Sequence, residues 1–251
     1  MTKKLIVGNW KMNGSLDDAK RLIADILNTI YGMPETLEKC DFVVCPPFLH
    51  IPAIRHAITT VDMLVFGAQD CSVQTNGPCT GDISASMLKD SLCSYVIVGH
   101  SERRSNHGES DDTVAQKVRH IHNAGMIAIV CVGETESQRD KGEQESVVAQ
   151  QLQRSLPETS NPENTVIAYE PVWAIGTGKV PTMDAIQAMH AFIRQSLSKK
   201  FGNSDAVRIL YGGSVDPQNA RDILACKNVD GCLVGGASLK AESFIAIAQA
   251  A

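Results

Sequence analysis

Val166-Ile167-Ala168-Tyr169-Glu170-Pro171-Val172-Trp173-Ala174-Ile175-Gly176-Thr177-Gly178-Lys179 places one acid where an apolar run gives way to a loop. Val166-Ile167-Ala168 reads as a buried strand, and Pro171 disfavours helix at Glu170, so regular structure ends at the carboxylate. Val172 to Ile175 is too apolar for an ordinary surface loop, and the Gly-Thr-Gly-Lys that follows can bend. Two readings fit this segment. One is a base beneath a water-excluding lid; the other is a hydrophobic loop packed permanently onto the body, with Glu170 an exposed end-of-strand acid.

The same unit, an apolar run followed by a helical segment, recurs along the chain. The runs are Leu5-Ile6-Val7, Phe42-Val43-Val44, Met63-Leu64-Val65-Phe66, Tyr95-Val96-Ile97-Val98, Ile127-Ala128-Ile129-Val130, Val166-Ile167-Ala168, Arg208-Ile209-Leu210-Tyr211 and Cys232-Leu233-Val234. None alternates strictly between polar and apolar, as expected of parallel strands buried on both faces. Helical periodicity predicts helices at about 16–30, 48–58, 84–90, 111–124, 143–155, 183–200, 217–225 and 242–249. Ser15 before Asp17-Asp18 caps the first, and Asp216-Pro217 and Pro181-Thr182 mark later starts. Eight such units in 251 residues predict a closed (β/α)8 barrel, eight parallel strands with an outer ring of helices. An open doubly wound sheet would carry GxGxxG after its first strand, and that fingerprint is absent. No linker divides the chain, so residues 1–251 read as a single barrel domain.

Composition excludes several classes. Hydrophobic residues at 43% suffice for a sizeable core. The net charge of -5 has no basic stripe beside it, and aromatics at 5% offer no stacking platform, which argues against a nucleic-acid partner. No run approaches the roughly 18 apolar residues of a membrane helix. The eight cysteines form no CxxC pair or Cys/His ligand spacing, so neither zinc nor a disulfide framework is expected, and the setting reads as a reducing cytoplasm. Cys40, Cys45, Cys131 and Cys232 sit in or beside strands as small core residues.

In such a barrel the chemistry gathers where strands end. Those positions carry Asn9-Trp10-Lys11, Gly99-His100-Ser101-Glu102, Gly133-Glu134, Glu170, Gly212-Gly213-Ser214 and Gly235-Gly236. The last two clusters suit a phosphate cradle with a short helix near Ala237, although tight turns alone would also use them. Lys11 adds a positive charge. His100 lies just before what reads as a helix start at Ser101-Glu102, a place that favours a neutral imidazole. His50, His56, His107, His120, His122 and His190 read as surface or core residues.

Asn9-Trp10-Lys11-Met12-Asn13-Gly14, Val98 to Arg104, Ala168 to Gly178, Tyr211 to Val215 and Leu233 to Ala237 closely resemble the triosephosphate isomerase family, in family order over essentially the whole chain. The resemblance implies an intramolecular aldose–ketose isomerase of glycolysis and gluconeogenesis, interconverting dihydroxyacetone phosphate and D-glyceraldehyde 3-phosphate through an enediol or enediolate. It implies Glu170 as base and His100 as electrophile, with Lys11 and Asn9 stabilising negative charge and Glu102 and Ser101 helping to orient Lys11 and the carboxylate. Gly176, Ser214, Gly235 and Gly236 match phosphate-gripping positions. Pro171 to Lys179 (Pro171, Val172, Trp173, Ala174, Ile175, Gly176, Thr177, Gly178, Lys179) match the lid, and Leu233 and Ile175 match apolar residues closing over the base. The family binds no metal or organic cofactor and works as a homodimer, here through loop 69–82, with Thr80 reaching the partner. Gly77-Pro78-Cys79-Thr80-Gly81-Asp82 departs from the family's usual Gly-Ala-Phe-Thr-Gly-Glu, so Cys79 brings less contact area to the interface.

Two rivals remain at this level. A lysine Schiff-base aldolase would use Lys11 as nucleophile, but leaves Glu170 and its loop without a part. A phosphate-binding or interaction protein that has lost its chemistry would not need Asn9, Lys11, His100 and Glu170 together.

Overall fold

A computed structural model of the chain describes residues 3–58, 63–176, 179–203 and 205–251. Eight strands close into an all-parallel barrel in sequence order: β1 (Lys4–Asn9), β2 (Cys40–Cys45), β3 (Val65–Ala68), β4 (Tyr95–Val98), β5 (Ile127–Val132), β6 (Thr165–Tyr169), β7 (Ile209–Tyr211) and β8 (Gly231–Val234). β8 returns to β1 with Leu5 opposite Gly231 and Gly8 opposite Val234, which removes both sheet edges.

The helices outside are α1 (Leu16–Tyr31), α2 (Pro34–Lys39), α3 (Ile51–Ile58), α4 (Ala85–Asp90), α5 (Ser101–His107), α6 (Asp111–Asn123), α7 (Glu136–Asp140), α8 (Gln144–Ser155), α9 (Met183–Phe201), α10 (Ala220–Ala225) and α11 (Ala241–Gln249). Ser15 begins α1 with a capping box: its hydroxyl accepts from the Asp18 amide while Asp18 accepts from the Ser15 amide. α3 is preceded by a short 3-10 turn at Phe48–His50, and α10 starts at Ala220, not at Pro217, because turns occupy 217–219.

Each strand feeds two cores, for the elementary reason that successive side chains point to opposite faces. Leu5, Val7, Val43, Cys45, Ile97, Ile129, Cys131, Val166, Ala168, Leu210 and Leu233 fill the barrel interior. Their neighbours Ile6, Val44, Val96, Val98, Val130, Ile167, Tyr169 and Ile209 pack outward against the helices. The continuous apolar runs of the sequence are therefore strands buried twice. This parity also aims the site: after Leu5 and Val7 the next inward position is Asn9, and after Val166 and Ala168 it is Glu170.

Candidate active site

Asn9, Lys11, His100, Glu102, Glu170 and the Gly212-Gly213-Ser214 and Gly235-Gly236 turns line one cleft of about 360 Å3 at the carboxyl ends of the strands. Ile175, Gly176 and Leu233 also face it. Every catalytic and phosphate-gripping candidate read from the sequence is thus brought to one place. Thr80 and Cys79 are not among the residues lining it; Thr80 is exposed and Cys79 half-buried on the loop that follows β3.

Lys11 stands on a left-handed backbone, with φ of 52°, which lysine rarely adopts. Two side chains hold it there. Asn9 Oδ1 accepts from the Lys11 amide at 3.1 Å, and Gln69 Nε2 donates to the Lys11 carbonyl at 2.8 Å. Its ammonium then reaches Glu102 Oε1 at 2.5 Å. A Cβ at Gly235 would lie 3.6 Å from Lys11 Cε, so the glycine turn after β8 leaves the cation open to the cleft.

His100 follows Gly99, whose φ of 65° ends β4 and lets the next residue turn towards the cleft. A side chain at Gly99 would also strike Val114, at 2.9 Å from its Cγ2. Nδ1 of His100 accepts from the Glu102 amide at 3.2 Å, which leaves Nε2 to carry the proton of a neutral ring. Nε2 lies 2.9 Å from Glu170 Oε1, close but not aligned as a hydrogen bond.

Glu170 is 2% exposed, and its Oε2 accepts from the Ser101 amide at 2.8 Å. The bland reading of an exposed strand-end acid is therefore overturned. Burial pushes its carboxyl up, but the facing His100 and the Ser101 donor more than offset this and hold it below the ordinary range. For His100 burial acts downward, and the Glu170 charge wins and raises it. The helix start, which favours the neutral ring, thus competes with a carboxylate in contact.

The segment after Glu170 is packed at its first half. Val172–Ala174 forms a 3-10 turn, Ala174 is fully buried, and Ser214 Oγ donates to the Ala174 carbonyl at 2.9 Å. Ile175 is half-buried and Gly176 exposed with φ of 70°, while Thr177 and Gly178 lie outside the described residues. Lys179 pairs with Glu136.

Glu134 was legible only as one more strand-end acid. In the structure it is fully buried and accepts from Tyr169 Oη at 3.1 Å, Trp173 Nε1 at 2.8 Å and Arg139 Nη1 at 2.8 Å. It joins the strand before Glu170 to the loop after it. Nothing in local sequence signals the join, since Tyr169 and Trp173 lie 35 and 39 residues beyond Glu134.

A family model described as Triosephosphate isomerase matches residues 4–251. The chain belongs to the triosephosphate isomerase family. It is 50% identical to the triosephosphate isomerase of Rhodopseudomonas palustris (strain BisA53), over 98% of this chain and 96% of that protein. With the triosephosphate isomerase of Rhizobium meliloti (strain 1021) it shares 46% identity over 99% and 96%. The crystal structure of triosephosphate isomerase from Bartonella henselae superposes with a TM-score of 0.88 at 38% identity, covering 99% of each chain. The barrel and the order of its strand-end motifs are those of a triosephosphate isomerase family member.

Proposed function

We propose that this chain, as one barrel domain over residues 1–251, interconverts dihydroxyacetone phosphate and D-glyceraldehyde 3-phosphate. The observation that carries this reading is Glu170: a buried carboxylate facing the same cleft as a histidine, a lysine and two glycine turns. Glu170 removes a proton from C1 of the ketose. The C–H electron pair becomes the C1–C2 double bond, and the carbonyl pair moves onto oxygen. His100 Nε2–H hydrogen-bonds that oxygen, and Lys11 and Asn9 face the developing negative charge. The O1 hydroxyl then gives up its proton as O2 takes one, a shift that His100 Nε2 carries between the two oxygens, and return of the carbon-bound proton to C2 gives the aldose with C1 as its carbonyl; one carbon is oxidised as its neighbour is reduced and no external electron acceptor is required.

A substrate carbonyl that takes the His100 Nε2–H draws it from Glu170, and burial then favours the neutral ring that donates. The phosphate lies against Gly176, Ser214, Gly235 and Gly236, and the lid that the family resemblance implies keeps water from the enediolate, whose competing fate is loss of phosphate. Lys11 suits a fixed cation better than a Schiff-base nucleophile, because an ammonium paired with Glu102 is not a free amine.

The active unit is a homodimer in the cytoplasm. Beside the first cleft lies a second, of about 390 Å3, lined by Lys11, Met12, Gln69 and His107, and Met12 is 95% exposed there. Loop 69–82 of a second copy would cover it with Thr80.

The test is a coupled isomerisation assay with Glu170→Asp as the variant. Retraction of the carboxylate by about one methylene costs on the order of 100-fold in kcat. Circular dichroism should be unchanged. Full turnover in a folded Glu170→Asp protein removes Glu170 as the proton-transfer group.

A further inference from the structure

Gln151, half-buried on α8, spends its whole carboxamide on one residue of another element. Gly133 donates its amide to Gln151 Oε1 at 2.7 Å, and Gln151 Nε2 donates back to the Gly133 carbonyl at 3.1 Å. Gly133 comes immediately after β5, one step beyond the last ladder pair, Val132 with Tyr169. Its backbone groups have no strand partner among the described residues, and the amide side chain takes the place of a neighbouring strand.

Gly133 is also where the main chain of Glu170 rests. A Cβ there would stand 1.7 Å from the Glu170 carbonyl oxygen and 2.6 Å from its carbonyl carbon, so only glycine permits the approach. On either side the contact is hydrogen-bonded. The Glu170 amide donates to the Val132 carbonyl at 2.8 Å, and the Val172 amide donates to the Glu134 carbonyl at 3.1 Å. The base therefore lies across three consecutive residues, and the middle one is fixed from behind by Gln151. A cleft of about 270 Å3 opens at this point, lined by Gln151, Gly133, Arg104, Cys131 and Glu170.

We propose that Gln151 is a positioning residue for the isomerisation: through Gly133 it fixes the main chain of Glu170 relative to the cleft. The inference rests on Glu170 as the base. Gln151 is not among the residues lining the candidate active-site cleft, and its effect reaches the reaction only through the carboxylate's placement.

The experiment is a double-mutant cycle between Gln151→Met and Glu170→Asp. Methionine keeps the length of the side chain and removes both hydrogen bonds. Displacement of the base lowers kcat of Gln151→Met by about 10- to 100-fold. KM moves by less than about twofold, because the phosphate turns after β7 and β8 are untouched. In the Glu170→Asp background, where the carboxylate is already withdrawn, the same substitution costs less than about threefold. Gln151→Asn, with its amide drawn back, gives the same pattern at smaller amplitude and serves if the methionine variant does not fold. An equal loss in both backgrounds, or a rise in KM with kcat preserved, overturns the assignment and leaves Gln151 a structural residue only. A Glu170→Asp enzyme with full turnover would instead overturn the functional reading itself, whereas an impaired Glu170→Asp beside an unaffected Gln151→Met overturns this inference alone.

Discussion

Glu170 and His100 hold one another's charge, and that coupling is readable in a pH profile. Burial alone would lift the Glu170 carboxyl; His100 and the Ser101 amide bring it below its ordinary value of 4.5. His100→Gln removes the cation and keeps the burial, so the carboxyl rises. The acid limb of kcat/KM, which reports the free enzyme, should move upward in His100→Gln, because the carboxyl loses the cation that holds it down. A limb that stays in place would mean that His100 does not govern the base. Stability follows the same sign. A depressed carboxyl stabilises the fold above its unfolded pKa, and that contribution is lost as pH falls through the folded value; in His100→Gln it disappears. At this scale much of the site was legible in the chain: Pro171 marks the end of β6, and strand parity aims Asn9 and Glu170 inward. The unread part is made by side chains meeting across long sequence separations. Gln69 reaches the Lys11 carbonyl, Gln151 clamps Gly133, and Glu134 gathers Tyr169 and Trp173. No local pattern encodes such meetings.

Among elements, the eight strands were found within about two residues because double burial leaves an unbroken apolar run. α2 and α7 were missed and α5 was seen only at its first turn; helices of six, five and seven residues give a 3.6-residue period little room, although α4 and α10, six residues each, were found. The root of loop 69–82 shows how elements are joined beneath such short pieces. Lys117 of α6 pairs with Asp70 at 2.7 Å and Glu109 at 2.6 Å, and Arg103 of α5 reaches the same two carboxylates at 2.8 and 2.5 Å. Burial dominates at Asp70 and raises it. Glu109 is also pushed up by burial, but Lys117 and Arg103 more than offset that and lower it. Lys117→Met strands two buried acids with one cation. Loss of one partner from a buried network costs about 3–5 kcal/mol, to be measured by urea denaturation at pH 7. The deficit should shrink as pH falls and Asp70, raised by burial, takes up a proton. A variant as stable as the native chain at pH 7 would show that Arg103 alone suffices.

At the scale of the whole molecule, closure of the barrel was legible and assembly was not, because the sequence says what one chain buries and little about what two chains bury together. The loop after β3 stands apart from the rest of the surface: residues 74–78 and 80–82 are exposed, and the cleft beside Lys11 leaves Met12 bare. If that loop docks on a second copy, Thr80 and Cys79 approach the cleft that carries Lys11, and activity depends on association. The family's large aromatic is replaced by Cys79, which buries less area, and Pro78 restricts how the tip can adjust. The dimer should therefore dissociate at higher concentration than one with phenylalanine in that place. Sedimentation across a dilution series, run beside specific activity, reads both quantities. Activity should fall with the dimer fraction, and Cys79→Phe should shift the midpoint to lower concentration, by about tenfold for each 1.4 kcal/mol of added burial. A monomer with undiminished specific activity would show that the loop has no part in the reaction, while a Cys79→Phe midpoint unchanged or raised would show that Pro78 points the tip away from its partner.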